Sequence, residues 1–308
     1  MAGKSRRKYR KISIFFVIFM CLGGLWISKK ILDHNSPKVP TWLAVRLAER
    51  KRIHQEQCQK KPPDPHFIEQ ADFHRLIVIE DLKLVFCTIP KISGTTWRRV
   101  LYEAENNGTT IQGSPHRGEL FSWLDRDYLP AERKKILDTY YKAMFVREPF
   151  ARLLSAYMNK VIWSDEWGRK LTRHRNISNQ ELEENKFPMF VRHVLSFNHS
   201  RITMNQHWRS YEQICPCEVN YDFIGHFENL GEEAPQLLKV IGVDDYVTFP
   251  EYHPSTSRPF LLKSYSTLTR EEIFKLGQFY DLDFKLFGYD FPGPLQEILD
   301  MKTALGEE

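Results

Sequence analysis

From Leu84 to Trp97 the chain reads Leu-Val-Phe-Cys-Thr-Ile-Pro-Lys-Ile-Ser-Gly-Thr-Thr-Trp. An apolar run stops at a proline, then a lysine and small residues lead into Trp-Arg-Arg-Val-Leu, which has helical character. A strand, a tight loop and a helix start are the parts of an anion-binding turn. Backbone N–H groups at the helix N-terminus face the ligand, small side chains let it approach, and a lysine adds mobile charge. Pro90, Lys91, Ile92, Ser93, Gly94, Thr95 and Thr96 are therefore the candidate phosphate contacts. Further on, the apolar segment Ala143 to Val146 ends at Arg147 and is followed by Glu-Pro-Phe-Ala-Arg-Leu-Leu-Ser. Pro149 suits a first helical turn, where its missing N–H costs nothing. Ser155 stands eight residues after Arg147, about two helical turns at 3.6 residues per turn. A guanidinium at a strand end and a hydroxyl on the next helix can grip one phosphate.

In nucleoside-triphosphate loops, Gly-x-x-x-x-Gly-Lys-Ser/Thr places the lysine at the end; here the lysine comes first. That order, with Arg147 some 56 residues downstream of Lys91 and Ser155 eight further on, resembles the Golgi membrane-bound carbohydrate sulfotransferases. The likeness is strongest to the group containing the natural-killer-epitope glucuronate 3-O-sulfotransferase and the chondroitin and dermatan 4-O-sulfotransferases. Cys215-Pro216-Cys217 with Tyr221-Asp-Phe-Ile-Gly-His-Phe-Glu-Asn-Leu230 looks like that group's third block, and Asp283-Phe-Lys-Leu-Phe-Gly-Tyr289 like its ending. The resemblance thus runs from about Leu76 to Tyr289. It implies a donor, 3′-phosphoadenosine 5′-phosphosulfate (PAPS), held by the lysine loop at its 5′-phosphosulfate and by Arg147 and Ser155 at its 3′-phosphate. It also implies an anionic glycan acceptor, chondroitin/dermatan or a glucuronate-capped chain.

Sulfuryl transfer to a hydroxyl requires in-line positioning, charge neutralisation at the leaving phosphate and a base for the hydroxyl proton. Lys91 is expected to neutralise the leaving oxygen. For the base, His116 in Gln-Gly-Ser-Pro-His-Arg matches in position a histidine that related glycosaminoglycan sulfotransferases use, although Arg117-Gly118-Glu119 departs from their pattern. His207 in Asn-Gln-His-Trp and His226 are rivals. The chemistry needs no metal. A kinase or NTPase is disfavoured by the loop order, an inactive glycan-binding relative by the presence of Lys91, Arg147 and Ser155, and a tyrosine or small-molecule sulfotransferase by the third block. Trp163 and Trp167 beside the basic residues up to Arg175 suit stacking on sugar rings and attraction of uronates or sulfates. Nucleic acid would satisfy the same charges but conflicts with the address below.

The elements that must position these residues alternate. Strands are expected at 76–80 and 83–88, joined by a tight turn at Asp81, and at 142–146 and 222–225. Helices are expected at 42–59, 95–104, 131–140, 149–161, 187–196 and 232–241. Such alternation points to the α/β class, a P-loop-like sulfotransferase fold whose central parallel sheet is flanked by helices, with phosphate ligands at the strand carboxyl ends.

Residues 12–28 form an apolar run preceded by Lys4, Arg6, Arg7, Lys8, Arg10 and Lys11. This pattern predicts a transmembrane signal anchor with a cytosolic tail at 1–11 and everything after it luminal, a single-pass type II Golgi protein. A cleaved signal peptide is the competing reading, but Ser28-Lys29-Lys30 offers no small-x-small site. A proline-bearing polar stem at 29–66, a catalytic domain at 67–300 and a C-terminal tail at 301–308 complete the expected layout. Asn107, Asn176 and Asn198 lie in Asn-x-Ser/Thr sequons. Of five cysteines, Cys21 falls in the anchor and Cys87 reads as a buried free thiol. Cys58, Cys215 and Cys217 then allow one bridge, from Cys58 to either partner, and no zinc site.

Overall fold

The computed structural model describes residues 40–62, 64–70, 73–163, 179–197, 204–251 and 257–306. Five strands build its sheet: β1 (Leu76–Ile79), β2 (Leu84–Cys87), β3 (Ser122–Trp123), β4 (Tyr141–Val146) and β5 (Phe223–His226), in the order β3-β1-β2-β4-β5. β2, β4 and β5 run parallel, in register Cys87↔Met144 and Val146↔His226. The outer pairs β1–β2 and β1–β3 are antiparallel. The sheet is therefore mixed rather than wholly parallel. The cause is local, since only a short turn with Lys83 at φ 48° separates β1 from β2, and a parallel partner needs a crossover of a dozen or more residues.

β1 and β2 are buried along their whole length and β4 from its second residue, as expected of strands covered on both faces. α2 (Gly94–Glu105) follows β2, α3 (Pro130–Thr139) precedes β4, and α4 (Pro149–Tyr157) follows it. Trp97 on α2 is core: its ring meets those of Phe86, Phe145 and Phe249 at 4.9, 4.8 and 4.7 Å. Gly225 on β5 is required by the same packing, because a Cβ there would lie 2.3 Å from the Phe145 ring. A second core joins α4 to α5 (Asn179–Leu195) and to the C-terminal helices. The single helix expected at 149–161 is α4 followed by a π-helical stretch, Met158–Trp163.

The helix expected in the stem forms, as α1 (Thr41–Cys58), but it packs against β5 and the helix Asp281–Phe287. It does so through charge more than apolar surface. Besides Leu43, its buried residues are Arg50 and His54. Arg50 donates to Glu233 at 2.8 Å and to the Ile224 carbonyl at 3.0 Å, and Arg46 donates to Glu233 at 3.0 Å. Glu233, with no exposed surface, lies on α6 (Leu230–Val240) and also accepts from the His226 amide at 2.9 Å. Val39–Glu308 form one compact unit.

Two disulfides, Cys58–Cys217 and Cys87–Cys215, tie these parts together. The first is one of the two pairings expected for Cys58. The second corrects the reading of Cys87 as a free thiol and of a single bridge: Cys87 ends β2 beside the Ile214 carbonyl, which places Cys215 across from it. Among the described residues, His54, Cys58 and Cys217 are the one grouping spaced for a metal, and its two sulfurs are joined to each other. The segment 12–28, like Asn176 and Asn198, lies outside the described residues. Among the described residues no helix is long and apolar enough to cross a membrane.

Cys58–Cys217 closes a loop of 159 residues. Cys58→Ser is expected to cost about 2–5 kcal/mol in denaturant unfolding and to expose α1 to proteolysis. Non-reducing peptide mapping should recover Cys58 with Cys217 and Cys87 with Cys215; a Cys58–Cys215 peptide would refute the pairing.

Candidate active site

The parallel strands β2, β4 and β5 end on one side, and the loops beyond β2 and β4 wall a cavity of about 550 Å³. The loop after β2 contributes Pro90, Lys91, Ser93, Gly94 and Thr95 to the lining. Lys91 and Ser93 have φ of 74° and 50°. Left-handed backbone costs a non-glycine residue roughly 1–2 kcal/mol, and here it turns the chain sharply into the N-terminus of α2. Ile92 points the other way and is buried in the core, and Thr96 does not line the cavity.

Arg147 leaves the end of β4, its guanidinium 4.3 Å from the Phe227 ring and its Nη1 donating to the Lys91 carbonyl at 3.4 Å. The backbone is held there by Tyr211, whose hydroxyl accepts from the Arg147 amide at 2.9 Å and donates to its carbonyl at 2.5 Å. Glu148 caps α4, accepting from the Phe150 and Ala151 amides at 3.0 and 2.7 Å. The helix thus starts at Pro149 and carries Ser155 to the cavity, and the π-helical stretch after it brings Asn159 and Lys160 to the same wall.

Both candidate bases line the cavity. His116 sits at the rim, its Nε2 3.0 Å from the Thr95 hydroxyl. Its loop is pinned to α2 by Arg99, which donates to the carbonyls of Ile111 and Gly113 at 3.5 and 3.1 Å. His207 lies deeper. Its Nδ1 is 2.7 Å from Asn205 Oδ1, which also accepts the His207 amide at 3.0 Å. An amide oxygen only accepts, so Nδ1 carries the proton and Nε2 keeps its lone pair. His226 is elsewhere, stacked on Tyr289 at 4.6 Å.

Arg75, Lys91, Arg98, Arg147 and Lys160 all line this cavity, and no described lining residue is acidic. Mutual repulsion and burial leave their mark. Burial, then Lys160 and Arg147, lowers the Lys91 pKa to about 8. Burial, then Lys160, Lys91, Arg75 and Arg152, lowers that of His207 to about 3. Burial and Arg98, Arg75, Lys160 and Arg99 lower that of His116. Both imidazoles are thus neutral near pH 7 and able to accept a proton. A cavity this size with concentrated cations and neutral imidazoles suits a small polyanion and a proton transfer beside it.

Sequence reasoning did not single out Arg75, Asn159, Lys160, Gln206 or Phe227, and it gave Arg98 only within the helical run Trp-Arg-Arg-Val-Leu. Arg75 precedes β1 by one residue and Lys160 lies five past Ser155. Their only local signal is positive charge next to an element already implicated.

The chain matches the family model described as the sulfotransferase family over residues 74–290, a span holding both loops and both histidines. It is 31% identical to carbohydrate sulfotransferase 10 of Homo sapiens over 242 residues, 71% of this chain and 67% of that protein. It is 30% identical to carbohydrate sulfotransferase 11 of Rattus norvegicus over 246 residues, 73% and 70% of the two chains. With carbohydrate sulfotransferase 14 of Danio rerio the identity is 33% over 239 residues, 72% and 64%. No solved structure gives a significant match. With the family's matched span enclosing a cavity rich in cations and free of described carboxylates, the chain belongs to the sulfotransferase family, among the carbohydrate sulfotransferases, and is an enzyme of that class.

Proposed function

We propose that this enzyme transfers a sulfuryl group from PAPS to a hydroxyl of an anionic Golgi glycan, either the GalNAc 4-OH of chondroitin/dermatan or the 3-OH of glucuronate. The observation that carries this reading is the convergence of the lysine loop, Arg147 and Ser155 on one cavity with five cations. The Lys91 loop with Thr95 cradles the 5′-phosphosulfate, and Arg147 with Ser155 holds the 3′-phosphate. Lys91 neutralises charge as the sulfur–oxygen bond to the leaving phosphate breaks. His116 takes the proton of the acceptor hydroxyl as its oxygen bonds to sulfur. Its place at the rim favours it, since the acceptor arrives from solvent. His207 is the second candidate, favoured by the Asn205 bond that fixes its tautomer. Lysine and guanidinium groups supply the charge neutralisation, so activity should survive EDTA.

Two disulfides fit an oxidising compartment. With the apolar run at 12–28 they support a type II Golgi protein whose luminal part is the catalytic domain from 67 to 300, the tail at 301–308 and the polar segment 29–66, of which α1 packs onto that domain. Of the sequons, Asn107 is exposed in the turn after α2 and is proposed as a glycan site with Asn176 and Asn198. A membrane-anchored luminal enzyme has glycans as partners and no nucleic acid.

In a secreted luminal fragment given labelled PAPS and desulfated chondroitin, dermatan, heparosan or glucuronate-capped oligosaccharides, label should transfer and Lys91→Ala should abolish it. No binding of adenosine 3′,5′-bisphosphate by the wild type would overturn the reading. His116→Ala should lower kcat by about 10²–10⁴ while that bisphosphate still binds; the same loss in His207→Ala instead, with His116→Ala active, would exchange their roles.

Lys91 must be charged to hold the donor. Its lowered pKa means the charge is full below pH 7 and lost as pH rises through about 8. Affinity for the bisphosphate should therefore fall above pH 8, by up to about tenfold per unit, and Lys91→Arg should remove that limb because a guanidinium stays protonated. Constant wild-type affinity up to pH 10 would contradict the assignment.

A further inference from the structure

Lys91, Arg147 and Ser155 account for the two phosphates of the donor, yet the cavity holds more positive charge than they use. Arg98 stands out. It sits one helical turn past Thr95 on α2, only 6% exposed, and lines the cavity. Its guanidinium lies 5.0 Å from the Trp123 ring centre, and among the described residues it has neither a hydrogen-bond acceptor nor a carboxylate partner. Trp123 is itself fixed, its Nε1 donating to the Gly118 carbonyl at 2.9 Å. A ring supports the flat face of a guanidinium and leaves its N–H edge to seek an acceptor. Buried, uncompensated charge is costly, and burial already lowers the pKa of Arg98. A folded chain that keeps such a group in a cavity wall gains from it when an anion arrives.

The position of Arg98 says which anion. Arg98 stands one turn past Thr95 on α2, and the Thr95 hydroxyl is 3.0 Å from His116 Nε2; after burial, Arg98 is the first of the charges that lower the His116 pKa, ahead of Arg75, Lys160 and Arg99. Arg98 therefore lines the cavity on the side of the rim histidine. If His116 receives the acceptor's proton, the acceptor lies beside Arg98.

We propose that Arg98 forms a subsite that binds an anionic group of the acceptor, a uronate carboxylate or a sulfate next to the reacting sugar, and so selects acidic over neutral glycans. This rests on the function proposed above. A guanidinium fork matches a carboxylate or a sulfate with two parallel N–H···O bonds. The subsite also excludes neutral acceptors, which leave the buried charge unpaired.

The test measures binding to the luminal protein saturated with adenosine 3′,5′-bisphosphate. The probes are a desulfated chondroitin oligosaccharide and its carboxyl-reduced counterpart. The wild type should prefer the acidic form by tenfold or more, and Arg98→Gln should erase that preference while bisphosphate affinity stays within about twofold, which also reports that the variant folds. Arg98→Lys should restore part of the preference. Lys134→Gln, an exposed charge removed from α3, should retain it fully, which separates the subsite from general attraction to a basic surface. Equal or no affinity for the two probes in the wild type, or a preference that survives in Arg98→Gln, overturns the subsite. A fall in bisphosphate affinity in Arg98→Gln assigns the guanidinium to the donor and also overturns it. Failure of the wild type to bind the bisphosphate removes the underlying function and the subsite together.

Discussion

The site is assembled by one buried guanidinium. Arg152 on α4 is 2% exposed and donates to the carbonyls of Arg209, Gln206 and Pro90 at 2.7, 3.3 and 3.4 Å, while its face lies 4.5 Å from the Tyr211 ring. Those carbonyls belong to the segment carrying His207 and to the loop carrying Lys91. Arg152 itself rides on the helix that presents Ser155 and follows Arg147. One side chain thus links three stretches of chain distant in sequence, each bringing a functional group to the cavity. Buried Asp283 faces the same hub, accepting from the Tyr211 amide at 2.9 Å, and burial raises its pKa to about 7. A buried cation satisfied by carbonyls gives direction to the hub that apolar packing alone would not.

Around that hub the structure tolerates features that oppose folding. Lys91 and Ser93 in the loop after β2 are left-handed, and five cations share a cavity without a described carboxylate. Strain and like-charge repulsion both concentrate where a ligand would relieve them, the usual distribution at functional sites. The rigid surroundings make this sustainable. β2 and β4 are buried, the Trp97, Phe86 and Phe145 rings fill the space beneath the loop, and Cys87–Cys215 anchors the end of β2.

α1 braces the far side of β5 by a related device. Glu233 accepts from two arginines and a backbone amide while wholly buried. The Cys58–Cys217 bridge secures the end of the same helix. A segment with stem-like composition is thereby part of the catalytic body, and its polarity is what hid this, because burial through ion pairs leaves no apolar stripe.

What the sequence by itself determined is what the chain encodes contiguously. The strand, loop and helix around Lys91 fall within one short run, as do the strand, proline and helix around Arg147 and Ser155, so residue order alone located the two turns proposed to bind anions and most element positions. Expected strands 83–88 and 142–146 became β2 and β4 with boundaries shifted by a residue or so. Only the tertiary structure decided which cations join the site and which cysteines meet. Arg75, Arg98 and Lys160 belong to different stretches and come to line one cavity only when the start of β1, α2 and the π-helical stretch after α4 converge. Cys87 and Cys215 are 128 residues apart and are paired by the sheet, not by spacing. Local backbone preference acts over a few residues and is written in the order of the chain. Charge neighbourhoods, burial and bridges depend on distances in space, which exist only once the sheet has formed.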